Sequence, residues 1–180
     1  MIDWAAQLLA YWFDELDRQY WFARNDGVDA EIGARFGGAW ETQRARPAED
    51  FLTDPETARA TVILFDQVPR NMFRDDPRAF ATDPLARAIA THAIEAEWDE
   101  GLSTAERQFL YMPLMHSEDL GDQQRSLSLF AGLGDPGIMT FAQGHYDTIA
   151  RFGRFPHRNA VLGRDSTPEE IAAIEAGAHW

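Results

Sequence analysis

Five times along this chain a side chain able to cap a helix stands directly before a proline: Asp54-Pro55, Asp76-Pro77, Asp83-Pro84, Asp135-Pro136 and Thr167-Pro168. Proline has no N–H to lose and its φ already lies near the helical value, so it suits the first helical position. The Asp or Thr oxygen ahead of it accepts from the free N–H groups of the first turn. Glu170, at the third helical position after Thr167, completes a capping box, and Ser103 with Glu106 forms another. Punctuation of this kind confines the chain to a succession of short helices.

Between these starts the apolar residues recur at spacings of three and four, as in Trp4, Leu8 and Trp12 or Leu85, Ile89 and Ala93. The pattern predicts helices near 3–16, 29–45, 55–68, 84–97, 104–112, 120–132, 136–152 and 168–176. No pair of alternating strands is signalled. Pro69 is predicted to end or kink the helix that carries Asp66, and Pro113 to break the stretch after Tyr111, because each lacks an N–H and crowds the preceding turn. The expected fold is all-α: an irregular bundle of about eight helices in a single domain, residues 1–180. Self-similarity at the period of helical-hairpin repeats is not evident.

The chain has no cysteine, which removes disulfides, thiolate metal sites and thiol nucleophiles. All sixteen basic residues are arginine, so Schiff-base lysine chemistry is removed as well. A net charge of -14 repels phosphate backbones and anionic membrane surfaces, which speaks against a nucleic-acid or membrane partner. The opening segment has no basic leader, and its apolar run WAAQLLAYWF carries Gln7 and stops at Asp14 and Glu15. It reads as neither a signal peptide nor a span, and a cytoplasmic location is expected. The residues single out no cofactor.

Charge is sharply segregated. Residues 145–164 hold Arg151, Arg154, Arg158 and Arg164 against Asp147 alone, a local charge of +3, so the remaining residues carry -17. Such a patch either meets carboxylates of its own fold or receives an anionic ligand. The helix leading into it sets Ile138, Phe141, His145, Ile149 and Phe152 on one stripe, which turns His145 toward the core or a pocket wall. An imidazole there is either a satisfied structural group or a general acid or base. After Gly153, Phe155-Pro156-His157-Arg158-Asn159 cannot continue a helix. It is expected to form a shaped loop whose donors either bind an oxyanion or satisfy helix-end carbonyls.

His116, Glu118 and Asp119, just after Pro113, are weak candidates for metal ligands. The alternative is that Asp119 or Ser117 caps the next helix. In that helix Leu120, Gln123 or Gln124, Leu127 and Phe130 share a stripe, so one glutamine is drawn inward and needs a partner. Around Pro69, Asp66 and Arg70 are spaced for a helical ion pair.

Three blocks, LFDQVPRNMFRDDPRAFATD, FLYMPLMHSEDLGDQQ and HYDTIARFGRFPHRNAVLGRDSTPEE, closely resemble the signature blocks of a bacterial family of unknown function, number 924. The resemblance covers most of the chain from about Trp12 onward and implies a helical, tetratricopeptide-like fold. It brings no established activity. Two functions are expected. In the first, an anionic small molecule is held by Arg70, Gln123, Arg154, Arg158 and Asn159, with His145, His157 and Asp66 as acid–base groups. In the second, the chain is a non-catalytic helical adaptor for a peptide or protein, with the arginines paired internally to acids such as Asp66 or Glu118. A metal-dependent hydrolase using His116 is a narrower version of the first.

Overall fold

The structure, a computed structural model, describes residues 3–177. Among these residues there is no strand, as the all-α expectation requires. They form two compact units, residues 3–74 with 78–113 and residues 75–77 with 114–177.

The first unit contains α1 (Asp3–Ala10), α2 (Asp26–Gln43), α3 (Pro55–Asp66), α4 (Val68–Met72), α5 (Asp83–Glu95) and most of α6 (Thr104–Met115). Its centre is α3, whose face from Ala58 to Phe65 is almost wholly buried and packs against α1 and α5. Asp54 caps α3 as its Asp-Pro start predicts, accepting from the Thr57 N–H at 2.9 Å. α2 starts earlier than the apolar pattern suggests, because the Asn25 side chain caps the N–H groups of Gly27 and Val28.

Several elements depart from expectation. The first helix turns π-helical over Tyr11–Glu15, with the Leu16 N–H reaching the Tyr11 carbonyl at 2.8 Å. This widened turn accompanies a buried Trp12 whose ring meets Phe109 edge to face at 5.5 Å, while Phe13 also reaches Phe109. Asp83 does not cap α5. Thr82 holds that position and uses its hydroxyl elsewhere, donating to the Phe65 carbonyl at 2.6 Å and accepting from Trp40 Nε1 at 3.1 Å. Asp76-Pro77, likewise, opens only a 3-10 turn over Pro77–Phe80.

Pro113 does not break α6, which runs on to Met115. The missing N–H falls in the last turn, where only a few further intrahelical bonds remain to be made, so the helix tolerates it.

The second unit consists of α7 (Leu120–Ala131), α8 (Pro136–Phe152) and α9 (Pro168–Glu175), with a 3-10 turn over Pro156–Arg158. α7 and α8 pack as a helical hairpin joined by the short Gly132–Asp135 link. Asp119, Asp135 and Thr167 cap the three helices, and Thr167 with Glu170 forms the expected capping box. α8 ends at Gly153, whose φ of 69° lies in the left-handed region that a side chain strains to occupy.

Candidate functional site

α8 buries Ala142, His145, Thr148 and Ile149, a stripe rotated from the one the sequence suggests. Phe141 is consequently 66% exposed rather than inward, and Leu120 of α7 is also exposed. Rotation leaves His145 inside, at 7% exposure. Its Nδ1 lies 2.8 Å from the Phe141 carbonyl. A carbonyl only accepts, so Nδ1 carries the proton and Nε2 holds the lone pair. Burial, followed by the nearby His116, pushes the ring down to about 3, and the ring is therefore neutral at physiological pH.

Around this imidazole stand three of the residues singled out in the sequence. The His116 ring centroid is 6.0 Å away. Phe155 meets His145 edge to face at 5.4 Å and lies 5.8 Å from the His157 ring. The guanidinium of buried Arg158 sits over the same Phe155 ring at 4.4 Å. The Pro156 turn brings this about: it bends the chain so that Phe155 is fully buried and the two residues after Pro156 pack beside it.

The other candidates are engaged in the frame of the loop. Arg154 forms a two-point pair with Glu170, Nε to Oε1 at 2.7 Å and Nη2 to Oε2 at 2.8 Å. Asn159 donates from Nδ2 to Ser166 Oγ at 3.0 Å and to Glu170 at 3.3 Å. The Arg154 hydrogen bonds, assisted by the Thr167 N–H, hold the Glu170 carboxyl down at about 2. Glu118 accepts from Arg164 at 2.7 and 3.0 Å and from the Phe155 N–H at 2.8 Å. Its burial would raise the carboxyl, but these donors outweigh it and keep Glu118 below the usual range. Asp119 caps α7 through the Asp122 N–H at 3.0 Å.

Gln123 is the inward glutamine of α7. Its Nε2 donates to the carbonyls of Met115 and Ser117, both at 2.7 Å, and so grips the backbone on either side of His116. The Met115 carbonyl is one that the end of α6 leaves open. Among the described residues no three His, Cys, Asp or Glu side chains are arranged to hold a metal ion.

Asp66 and Arg70 belong to the first unit. They make the predicted helical pair at 3.3 Å, but the main partner of Arg70 is Asp83, at 2.7 and 2.9 Å. Burial would lower the guanidinium's affinity for its proton; Asp66 and Asp83 more than offset this, and Arg70 stays charged.

A feature that no sequence candidate anticipates is a cleft of about 300 Å³ in the first unit, lined by Ala6, Ala10, Phe13, Asp14, Arg59 and Glu106. Arg59 and Glu106 are paired there at 3.0 Å. The Ser103–Glu106 box was legible as a helix start, but nothing local pointed to Arg59.

The chain is thus an all-helical protein with a buried His–Arg–aromatic cluster framed by closed ion pairs. Residues 8–178 match the family described as "Bacterial protein of unknown function (DUF924)", and the chain belongs to that family. A solved structure similar to it is described as a protein of unknown function, ATU0120, from Agrobacterium tumefaciens. The two share 38% identity with a TM-score of 0.90, over 96% of this chain and 97% of that one. No curated protein matches the chain. Among the described residues no helix is long and apolar enough to cross a membrane.

Proposed function

We propose that the second unit binds a small anionic molecule at the cluster of His145, His157 and Arg158, with His145 Nε2 as a hydrogen-bond acceptor. The observation that carries this reading is the 2.8 Å bond from His145 Nδ1 to the Phe141 carbonyl, which commits one nitrogen and leaves a lone pair on the other inside a buried ring. A neutral imidazole fixed by a backbone acceptor presents Nε2 as a hydrogen-bond acceptor, and a ring held at about 3 stays unprotonated at neutral pH. Arg158 supplies the positive charge. Arg154 and Asn159, tied to Glu170, shape the loop rather than meet the ligand, and Arg70 and Asp66 serve the Asp83 pair. The protein works in the cytoplasm.

The test is a thermal melt of wild type, His145→Ala and Arg158→Ala against a panel of anionic metabolites. At least one anion is expected to raise the wild-type transition, and both substitutions to abolish that rise while the transition stays cooperative. If both variants respond to every anion as wild type does, the reading fails.

A second reading, a tetratricopeptide-like adaptor for a peptide or protein, is favoured by one observation: Arg154, Arg164 and Arg70 are each closed by an internal carboxylate. In that case the helical hairpin of α7 and α8 is the recognition element. A melt unmoved by any anion is its expected signature.

A further inference from the structure

The tautomer of His145 does more than leave an acceptor in place, and its consequence for ligand choice rests on the anion-binding reading of this same cluster. A ligand meeting this ring meets Nε2, and Nε2 has a lone pair and no hydrogen. An anion whose oxygens can only accept hydrogen bonds places lone pair against lone pair there. An anion that also carries an O–H places a donor on the acceptor and still offers its negative oxygen to a guanidinium.

We propose that the cluster selects anions that carry their own hydroxyl proton, either an incompletely ionised oxyacid such as hydrogen phosphate or a hydroxy-carboxylate. Three features of the structure hold it to this choice. The Phe141 carbonyl lies in the preceding turn of the same helix, so the Nδ1 bond is set by α8 itself and not by a movable side chain. His145 is packed edge to face against fully buried Phe155, which opposes a ring flip that would carry Nδ1 away from the Phe141 carbonyl. Arg158 lies over that same Phe155, so the positive charge and the lone pair are arrayed around one aromatic ring. The low proton affinity of His145 agrees with this, because the ring does not convert to a two-donor imidazolium at neutral pH.

Discrimination of this kind is all-or-none in its logic, since a buried acceptor facing an acceptor loses a hydrogen bond and gains a repulsion. It also separates ligands of similar charge. Glycolate and acetate differ by the hydroxyl alone, and hydrogen phosphate and sulfate match in charge and tetrahedral shape while only the phosphate carries an O–H.

The experiment is calorimetric titration of the full chain, near neutral pH, with inorganic phosphate, sulfate, glycolate and acetate in separate runs. Phosphate and glycolate are expected to bind at least about tenfold more tightly than sulfate and acetate respectively. In His145→Asn the shorter amide can still donate to Phe141 while nothing replaces Nε2, and both ratios are expected to fall toward one. Sulfate matching phosphate together with acetate matching glycolate would overturn this inference and leave an anion site standing. Silence from all four anions would count against the anion-binding reading itself. Should His145→Asn fail to fold, the wild-type ratios decide, with Arg158→Gln as the second variant: it is expected to weaken all binding anions while keeping the ratio between them. Loss of the ratio in Arg158→Gln would place the selectivity on the arginine and refute the role given to His145.

Discussion

His145 donates its Nδ1 proton to the carbonyl of Phe141 at 2.8 Å, one turn back in the same helix. Nitrogen-15 NMR of the imidazoles checks this directly. His145 is expected to show the Nδ1–H tautomer at neutral pH and to keep it well below the range in which exposed histidines titrate. An Nε2–H signature would remove the basis for a hydrogen-bond acceptor at this site.

The same ring makes stability depend on pH with a definite sign. Its folded-state value, about 3, lies below the ordinary histidine value, so the unfolded chain binds the proton more readily. The contribution is complete above the unfolded value of about 6.5 and is lost as pH falls toward 3, at no more than about 1.4 kcal/mol per pH unit. Denaturant unfolding of wild type and His145→Gln across this window should show a shallower acid dependence in the variant. Parallel curves would contradict the burial-driven shift.

Glu170 titrates in a lower window. Arg154 and the Thr167 N–H hold its carboxyl at about 2, so the stability it brings is present above the ordinary carboxylate range and disappears as pH drops from there toward 2. Arg154→Ala leaves Glu170, with a side chain 3% exposed, short of two charge-assisted bonds. The variant is expected to unfold at lower urea than wild type at neutral pH, read from the midpoints. Glu170→Gln in the Arg154→Ala background should recover part of it, since the stranded charge is then gone.

Thr82 joins two buried partners in the first unit, donating to the Phe65 carbonyl and accepting from Trp40 Nε1. Thr82→Val keeps the shape and deletes both bonds, stranding a carbonyl and an indole N–H in the interior. The variant should lose about 2–4 kcal/mol, with each orphaned group costing its desolvation. A change under about 0.5 kcal/mol would mean that neither group is as secluded as its geometry implies.

Gln123→Leu tests how His116 is placed. The leucine fills similar space but releases the Met115 and Ser117 carbonyls, to which Nε2 now donates. Beyond a loss of about 1–3 kcal/mol, the depressed titration of His145 should relax upward if His116 moves off, because His116 is the second cause of that depression. An unchanged His145 titration would show that the backbone on either side of His116 does not need this clamp.

Much of the frame is legible in the order of the residues. The caps at Asp54, Asp119, Asp135 and Thr167, the inward turn of His145, the inward draw of one glutamine in α7 and the Asp66–Arg70 pair all involve residues within a turn or two of each other. A hydrogen bond or a helical face of this kind is closed by its own neighbours, so spacing alone determines it. Even here the tertiary structure revised details. It rotated the α8 stripe enough to expose Phe141, it let Pro113 ride in the last turn of α6, and it assigned Asp83 to Arg70 instead of to a cap.

Which carboxylate each arginine meets is a different matter. Arg154 takes Glu170, Arg164 takes Glu118 and Arg59 takes Glu106, across separations that no periodicity spans. With sixteen arginines and thirty acids, charge alone permits a great many pairings. Coulomb attraction carries no address; the choice falls to the packing of α-helical faces, which brings particular pairs within reach and keeps the rest apart. Local spacing therefore specified a string of capped helices with a histidine turned inward. Folding in three dimensions was needed to commit Arg154 and Arg164 of the arginine-rich loop to internal acids and to set Arg158 beside that histidine, over a shared phenylalanine.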